Sequence, residues 1–324
     1  MDNPRRIDLH HHIVPRDYAR LLRDKGVRPG GIDVPEWSTE RSRHLMKHNG
    51  IETAVLSVST PGVWFGGAGE ARRWGRRVNE EAAQVRHDDP AHFGFFATLT
   101  LPDADGAIAE AAYALDELGA DGIVLLANSE GLYLGDPAFD RLLAFLHERR
   151  AVVFVHPGEL PAEPVPGVPA FTADFLLDTT RTALSLILSG ALERYPDIRF
   201  VLAHAGGFLP YISYRVILTL ANREPKWKQA ALLLDRDRAV RRYGALLQRF
   251  WFDVALSSTP SALPSLLRVA LDTQVVYGSD FPFAPAPAVG LMRSEFDGAG
   301  LAQPVKEGID RLNALALFPR LAAA

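Results

Sequence analysis

Eight short runs of β-branched and aromatic residues, separated by longer stretches of helical periodicity, constrain this chain more than any other feature. The runs are Arg6–His10, Thr53–Ser57, Phe93–Thr98, Gly122–Ala127, Val152–His156, Arg199–Ala203, Phe250–Val254 and Gln274–Tyr277. Several are almost wholly apolar, as parallel strands covered on both faces require. Helical patterns cover Glu40–Asn49, Glu70–His87, Ala104–Leu118, Asp136–Arg149, Asp178–Glu193, Phe208–Asn222 and Ser261–Leu271, and a last one spans Pro304–Leu315. Their ends carry matching signals: Gly50 and Gly119 as stops, Asp136-Pro137 and Thr259-Pro260 as caps followed by proline. Eight strands, each followed by a helix, predict an α/β fold of the (β/α)8 TIM-barrel type. An open doubly wound sheet is the rival, weakened because no Gly-rich phosphate loop follows the first run.

Three insertions depart from a minimal barrel, at about 61–69, 157–175 and 224–249. The first two follow strand ends and should rise over the catalytic face; the third reads as an extra helical pair. No internal repeat is visible, so 1–324 is expected to form one barrel domain. The formal charge is −4, which gives no basic field for nucleic acid or an anionic membrane. The chain has no cysteine. That excludes disulfides, thiolate-ligated metals and thiol nucleophiles, and leaves any metal site to His, Asp, Glu and water. The first residues lack the apolar run of a signal peptide, and no stretch has the length of a membrane span. A cytoplasmic protein is the expectation.

The chemistry concentrates at the strand ends. In Asp8-Leu9-His10-His11-His12, residues two apart share a face of an extended chain. Asp8, His10 and His12 should therefore point one way, into the barrel, and His11 the other. The apolar runs Val152–Val155 and Phe200–Ala203 end abruptly in His156 and His204, and the last run leads into Asp280. In a barrel these ends converge on one mouth. His10, His12, His156 and Asp280 are the proposed ligands of a divalent metal ion, Zn²⁺ first and Mn²⁺ also suitable. His204 fits an acid–base role beside it. Asp8 is either the carboxylate that orients a ligand histidine or a turn carboxylate. The fourth run carries no Lys or Glu that could bridge a second metal, so one ion is expected.

These motifs resemble the amidohydrolase superfamily, above all its branch of metal-dependent decarboxylases. That branch includes the aminocarboxymuconate semialdehyde, γ-resorcylate and 6-methylsalicylate decarboxylases. The resemblance rests on Ile7–His12 with Pro15, Val155-His156-Pro157, His204-Ala205-Gly206-Gly207 and Tyr277–Pro282. It implies the same four metal ligands, with His204 as the acid–base histidine. It also implies that Arg215 reaches into the neighbouring subunit of a homodimer to hold a substrate carboxylate, and that Arg41 or Arg43 is a second substrate-binding arginine.

The activity expected is non-oxidative decarboxylation of an aromatic ortho-hydroxy acid or related enol acid. Asp280 is the preferred proton donor, positioned by His204; in a water-assisted variant their roles shift. Trp64, Phe65, Phe171, Phe281 and Phe283 are candidates for the apolar walls, with Trp64 and Phe283 foremost. The alternative is hydrolysis of a lactone or amide at the same metal.

Overall fold

The computed structural model describes residues 4–229 and 236–322. Its main strands follow the expected runs: β1 (Arg6–His12), β2 (Ile51–Ser57), β3 (Phe93–Thr98), β4 (Gly122–Leu126), β5 (Val152–His156), β6 (Arg199–Leu202), β7 (Trp251–Asp253) and β8 (Val275–Val276). All pair in parallel with the next in sequence. The ring closes where Leu9 N donates to Tyr277 O at 3.0 Å and His11 bridges to Phe281. The architecture is therefore the expected barrel.

Alternation along the strands sorts the apolar side chains into two layers. Ile7, Leu9, Val55, Phe96, Val124, Phe154, Val201 and Val276 pack together inside the ring, while a larger set joins the outer strand faces to the helices. The inner layer is closed from below by the C-terminal segment, where Phe318 meets Phe96 at 5.8 Å between ring centroids and Arg320 pairs with Asp121. Arg6, buried at the start of β1, donates to Asp310 at 2.6 Å and to the Asn49 carbonyl at 2.8 Å. With the floor sealed, the opposite ends of the strands form the open mouth.

Strand β1 breaks strict alternation. Its pairing with β2 shifts register between Asp8 and His11, so Leu9 and His10 both face inward, as in a β-bulge. The expectation that Asp8 shares a face with His10 and His12 is corrected by this shift. Asp8 instead lies with His11, whose Nδ1 approaches the carboxylate at 3.0 Å. His11 itself faces outward as expected, with Nε2 at 2.9 Å from Ser42 Oγ.

Several helix boundaries differ from the sequence reading. Gly50 does end Thr39–Asn49, with φ of 64°, and Ser38 caps its start. The insertion placed at 157–175 is shorter than expected, because the helix Ala170–Leu188 begins inside it. In the third insertion Arg236–Leu247 is helical, while 230–235 lies outside the described residues. The helix expected over Ser261–Leu271 is confined to Ala262–Leu267, because Val269 N already turns back to Leu266 O. Two helices were not anticipated. Arg16–Asp24 is short and polar, burying only Tyr18, Ala19 and Leu22. Ala286–Asp297 opens with Pro287, which reads as a breaker but costs nothing in a first turn, where the N–H has no helical partner.

Candidate active site

The ends of β1 and β5, with the turn after β8, bring His10, His12, His156 and Asp280 together. One ligand atom from each lies within 4.8 Å of all the others, and all four residues are buried. His10 Nε2 is 3.0 Å from His12 Nε2, and Asp280 Oδ1 is 3.2 and 3.1 Å from these two atoms. Ligand atoms about 2.0–2.1 Å from a zinc ion lie roughly 3.0–3.4 Å apart, depending on the angle between them. The observed spacing fits that range.

The second nitrogen of each ring explains why the Nε2 lone pairs converge. His12 Nδ1 donates to the Ser57 carbonyl at 3.2 Å, His156 Nδ1 to the Pro157 carbonyl at 2.8 Å and His204 Nδ1 to the Ala255 carbonyl at 3.1 Å. A carbonyl oxygen only accepts, so each ring carries its proton on Nδ1 and turns a bare Nε2 inward. His10 is held by a carboxylate instead, Asp253 Oδ2 at 2.8 Å. The other oxygen of Asp253 accepts from His204 N at 3.0 Å and Ala255 N at 2.9 Å. This fully buried residue thus ties His10 to His204. Sequence reasoning missed it. Its one signal was a carboxylate interrupting the aromatic run Phe250-Trp251-Phe252, which also suits a turn. Asp8 takes the turn role: its carboxylate accepts from Ser279 N at 3.0 Å, Ser279 Oγ at 2.6 Å and His10 N at 3.1 Å.

Burial disfavours the charged form of His10. The carboxylates of Asp253 and Asp280 at its two nitrogens outweigh this and raise its pKa to about 10. Burial lowers His12 and, together with the neighbouring His12 and His10, holds His156 well below the ordinary histidine range. Burial favours neutral Asp280, yet His10 and His12 keep its carboxyl well below the ordinary carboxylate range. Two of the residues at this centre hold strained backbone, with φ of 53° at His204 and 62° at Asp280. The bonds from His204 N to Asp253 and from Asp280 N to the His10 carbonyl, 2.7 Å long, anchor them there.

His204 is buried with its ring centroid 4.9 Å from that of His10, so it joins the cluster as expected. Phe283 stands edge-on to His12 at 5.4 Å, and Phe175, not anticipated, approaches His156 at 6.5 Å. Beside the ligands, a cavity of about 200 Å³ opens over β2, β3 and β4, with Trp64, Thr60, Thr98, Leu126 and Gly158 in its wall. Leu126, in its wall, pairs with His156 across the strands, and Val58 follows the Ser57 that holds His12. No Lys or Arg lines it.

The other candidates lie apart from the cluster. Phe281 packs behind the site with Leu45 and Val289, Phe65 lies under Lys25, and Phe171 is half exposed. Arg41 pairs with Glu36 and Arg43 with Asp89 at the surface. Arg215 is exposed on the helix Leu209–Asn222, outside the cluster.

The family model described as Amidohydrolase matches residues 7–320, and the chain belongs to that family. The chain is 35% identical to the 6-methylsalicylic acid decarboxylase acuB of Aspergillus aculeatus, over 98% of this chain and 97% of that one. It is also 35% identical to Decarboxylase yanB of Aspergillus niger, over 97% of this chain and 88% of that one. The crystal structure of a dihydroxybenzoic acid decarboxylase from Polaromonas sp., with bound manganese and the inhibitor 2-nitroresorcinol, superimposes with a TM-score of 0.78 at 22% identity, covering 97% and 96% of the two chains.

Proposed function

We propose that this protein is a metal-dependent, non-oxidative decarboxylase of an aromatic ortho-hydroxy acid. The observation that carries the reading is the convergence of three imidazole Nε2 atoms and one carboxylate at a barrel mouth, in a chain whose relatives decarboxylate such acids. A divalent cation held by His10, His12, His156 and Asp280 would supply Lewis acidity for the carboxylate and its ortho oxygen. The donor set suits Zn²⁺ and also accepts Mn²⁺.

The remaining chemistry belongs to the side chains. Removing CO₂ from a ring carbon needs that carbon protonated first, since an aryl carbanion is too unstable to leave behind. Asp280 is a carboxylate in the free site, so it must gain its proton as substrate binds. The ortho-hydroxyl supplies one. Asp280 passes it to the carbon bearing the carboxylate, the C–C bond breaks, and CO₂ leaves with its bonding electrons returned to the ring. His204, with Nδ1 held by the Ala255 carbonyl, would position that proton.

No Lys or Arg among the described residues lines the cavity over β2–β4, which leaves a counter-charge for the substrate carboxylate to come from a second copy. Arg215 of a second copy fits that need: its guanidinium makes no hydrogen bond or ion pair among the described residues, and its backbone carbonyl accepts only from its own helix, at Thr219. It also sits in an exposed stripe of Phe208, Tyr211, Tyr214 and Leu218. A homodimer through this face would cover apolar area that a monomer leaves in water. No helix among the described residues is long and apolar enough to cross a membrane, in keeping with a cytoplasmic enzyme acting on a small acid.

The test is product mass. Metal-stripped protein is reloaded separately with Zn²⁺ and Mn²⁺, then given pooled ortho-hydroxybenzoates and aryl lactones. Loss of CO₂ that needs the metal and disappears in Asp280→Asn is expected; water uptake by a lactone with no CO₂ would make the enzyme a hydrolase.

A further inference from the structure

On the outer face of β1 a chain of hydrogen bonds runs from the helix Thr39–Asn49 to the turn that carries Asp280. Trp37 Nε1 donates to Ser42 Oγ at 2.9 Å. Ser42 Oγ lies 2.9 Å from His11 Nε2, and His11 Nδ1 lies 3.0 Å from Asp8 Oδ2. Asp8 accepts in turn from Ser279 N at 3.0 Å and Ser279 Oγ at 2.6 Å. Ser279 Oγ then accepts from Phe281 N at 3.2 Å. Asp8, His11 and Ser42 are fully buried.

Donor chemistry gives the chain one direction. Indole Nε1–H only donates, so Ser42 Oγ accepts there and turns its own hydrogen to His11 Nε2. His11 then carries its proton on Nδ1 and gives it to the Asp8 carboxylate, which only accepts. The order serine, histidine, aspartate is that of a nucleophile triad. Ser42 cannot act as one, because it is buried and its hydroxyl is held between the indole and the imidazole.

What the chain holds is Asp280. Its backbone φ of 62° lies in a region that persists only where the surroundings over-determine it. Both of its neighbours, Ser279 and Phe281, are tied into the chain. The Phe281 ring also lies 5.3 Å from the His11 ring, in an apolar cluster against which Trp37 packs. We infer that Trp37, Ser42 and His11 are positioning residues for Asp280: through Asp8 and Ser279 they set the direction of its carboxylate without touching metal or substrate. The middle histidine of the His10–His12 run thus has a task of its own on the far face of the strand. The inference rests on the proposed roles of Asp280 as metal ligand and proton donor.

The test is a double-mutant cycle read first on the metal alone. Zn²⁺ affinity is measured by competition with a chromophoric chelator for the parent, Ser42→Ala, Asp280→Ala and the double variant. Ser42→Ala is expected to weaken binding about fivefold in the parent and less than about twofold where Asp280 is already gone, because residues that act through one another are not additive. No weakening in the parent, or equal weakening in both backgrounds, would overturn the inference. The second readout is turnover of the preferred ortho-hydroxybenzoate. Ser42→Ala should lower kcat about tenfold and leave KM within about twofold, the mark of a misplaced proton donor. An unchanged kcat would equally overturn it. If Ser42→Ala does not fold by circular dichroism, Trp37→Phe takes its place, since it removes the first donor and keeps a ring against Phe281. If the parent releases CO₂ from no acid, the decarboxylase reading falls, and the affinity cycle still decides whether these residues position Asp280.

Discussion

Replacing Asp253 with asparagine probes the logic of the centre without touching a ligand atom. The carboxylate accepts three hydrogen bonds, from His10 Nδ1, His204 N and Ala255 N, and is fully buried. An amide offers one accepting oxygen and one donating nitrogen. If its oxygen keeps the two backbone donors, its N–H faces His10 Nδ1. The ring must then accept there and carry its proton on Nε2, the atom that points at His12 and Asp280. If the amide flips, its nitrogen meets two backbone donors and leaves them unpaired at roughly 1–3 kcal/mol. Either way the Nε2 lone pair is lost or the fold is strained. Loss of an orienting partner typically weakens metal binding about 10–100-fold, which is about 1.4–2.8 kcal/mol at about 1.4 kcal/mol per decade. Titration against a chromophoric chelator reads this directly, with a thermal melt to show that the variant folds. Asp253→Asn binding Zn²⁺ as tightly as the parent would refute the argument that the ring tautomer is set by Asp253.

Other consequences follow from the same geometry. His10 is protonated below about pH 10, whereas His12 and His156 are shifted down by burial and Asp280 is already ionised. Metal uptake at pH 8 should therefore release one proton, and apparent affinity should fall about tenfold for each unit that pH drops from 9 to 7; calorimetry in buffers of different ionisation enthalpy that shows no release would contradict this. Arg215→Ala should raise KM for the acid at least tenfold with little change in protein stability, whereas Tyr211→Asp should shift sedimentation toward a monomer. An Arg215→Ala enzyme with unchanged KM would remove the partner's arginine from the site. Asp178 accepts from Gly158 N and Asn128 Nδ2, each at 2.9 Å, and fixes the turn after His156. Asp178→Ala should cost about 2–4 kcal/mol in urea unfolding, and an unmoved midpoint would show that this turn holds itself.

The strands were legible because parallel barrel strands are covered on both faces, so their apolar runs stand out and a histidine at their end, as at His156 or His204, is conspicuous. What escaped was set by non-local contacts. The inward turn of both Leu9 and His10 depends on a register shift against β2, which no periodicity in β1 announces. Asp253 ends a strand like many turn aspartates, and only the approach of β1 across the barrel gives it His10 as a partner. Arg41 and Arg43 had the right residue type, yet Glu36 and Asp89 claim them through loop paths that spacing does not encode.

Decarboxylation through ring protonation can be tested in one reaction. The metal-loaded enzyme is run in deuterium oxide with the preferred ortho-hydroxybenzoate, and the product is read by mass and NMR. One equivalent of CO₂ and a single deuterium on the carbon that carried the carboxylate are expected, both absent in Asp280→Asn. A product that keeps its carboxylate, or loses CO₂ without deuterium at that carbon, would contradict the account.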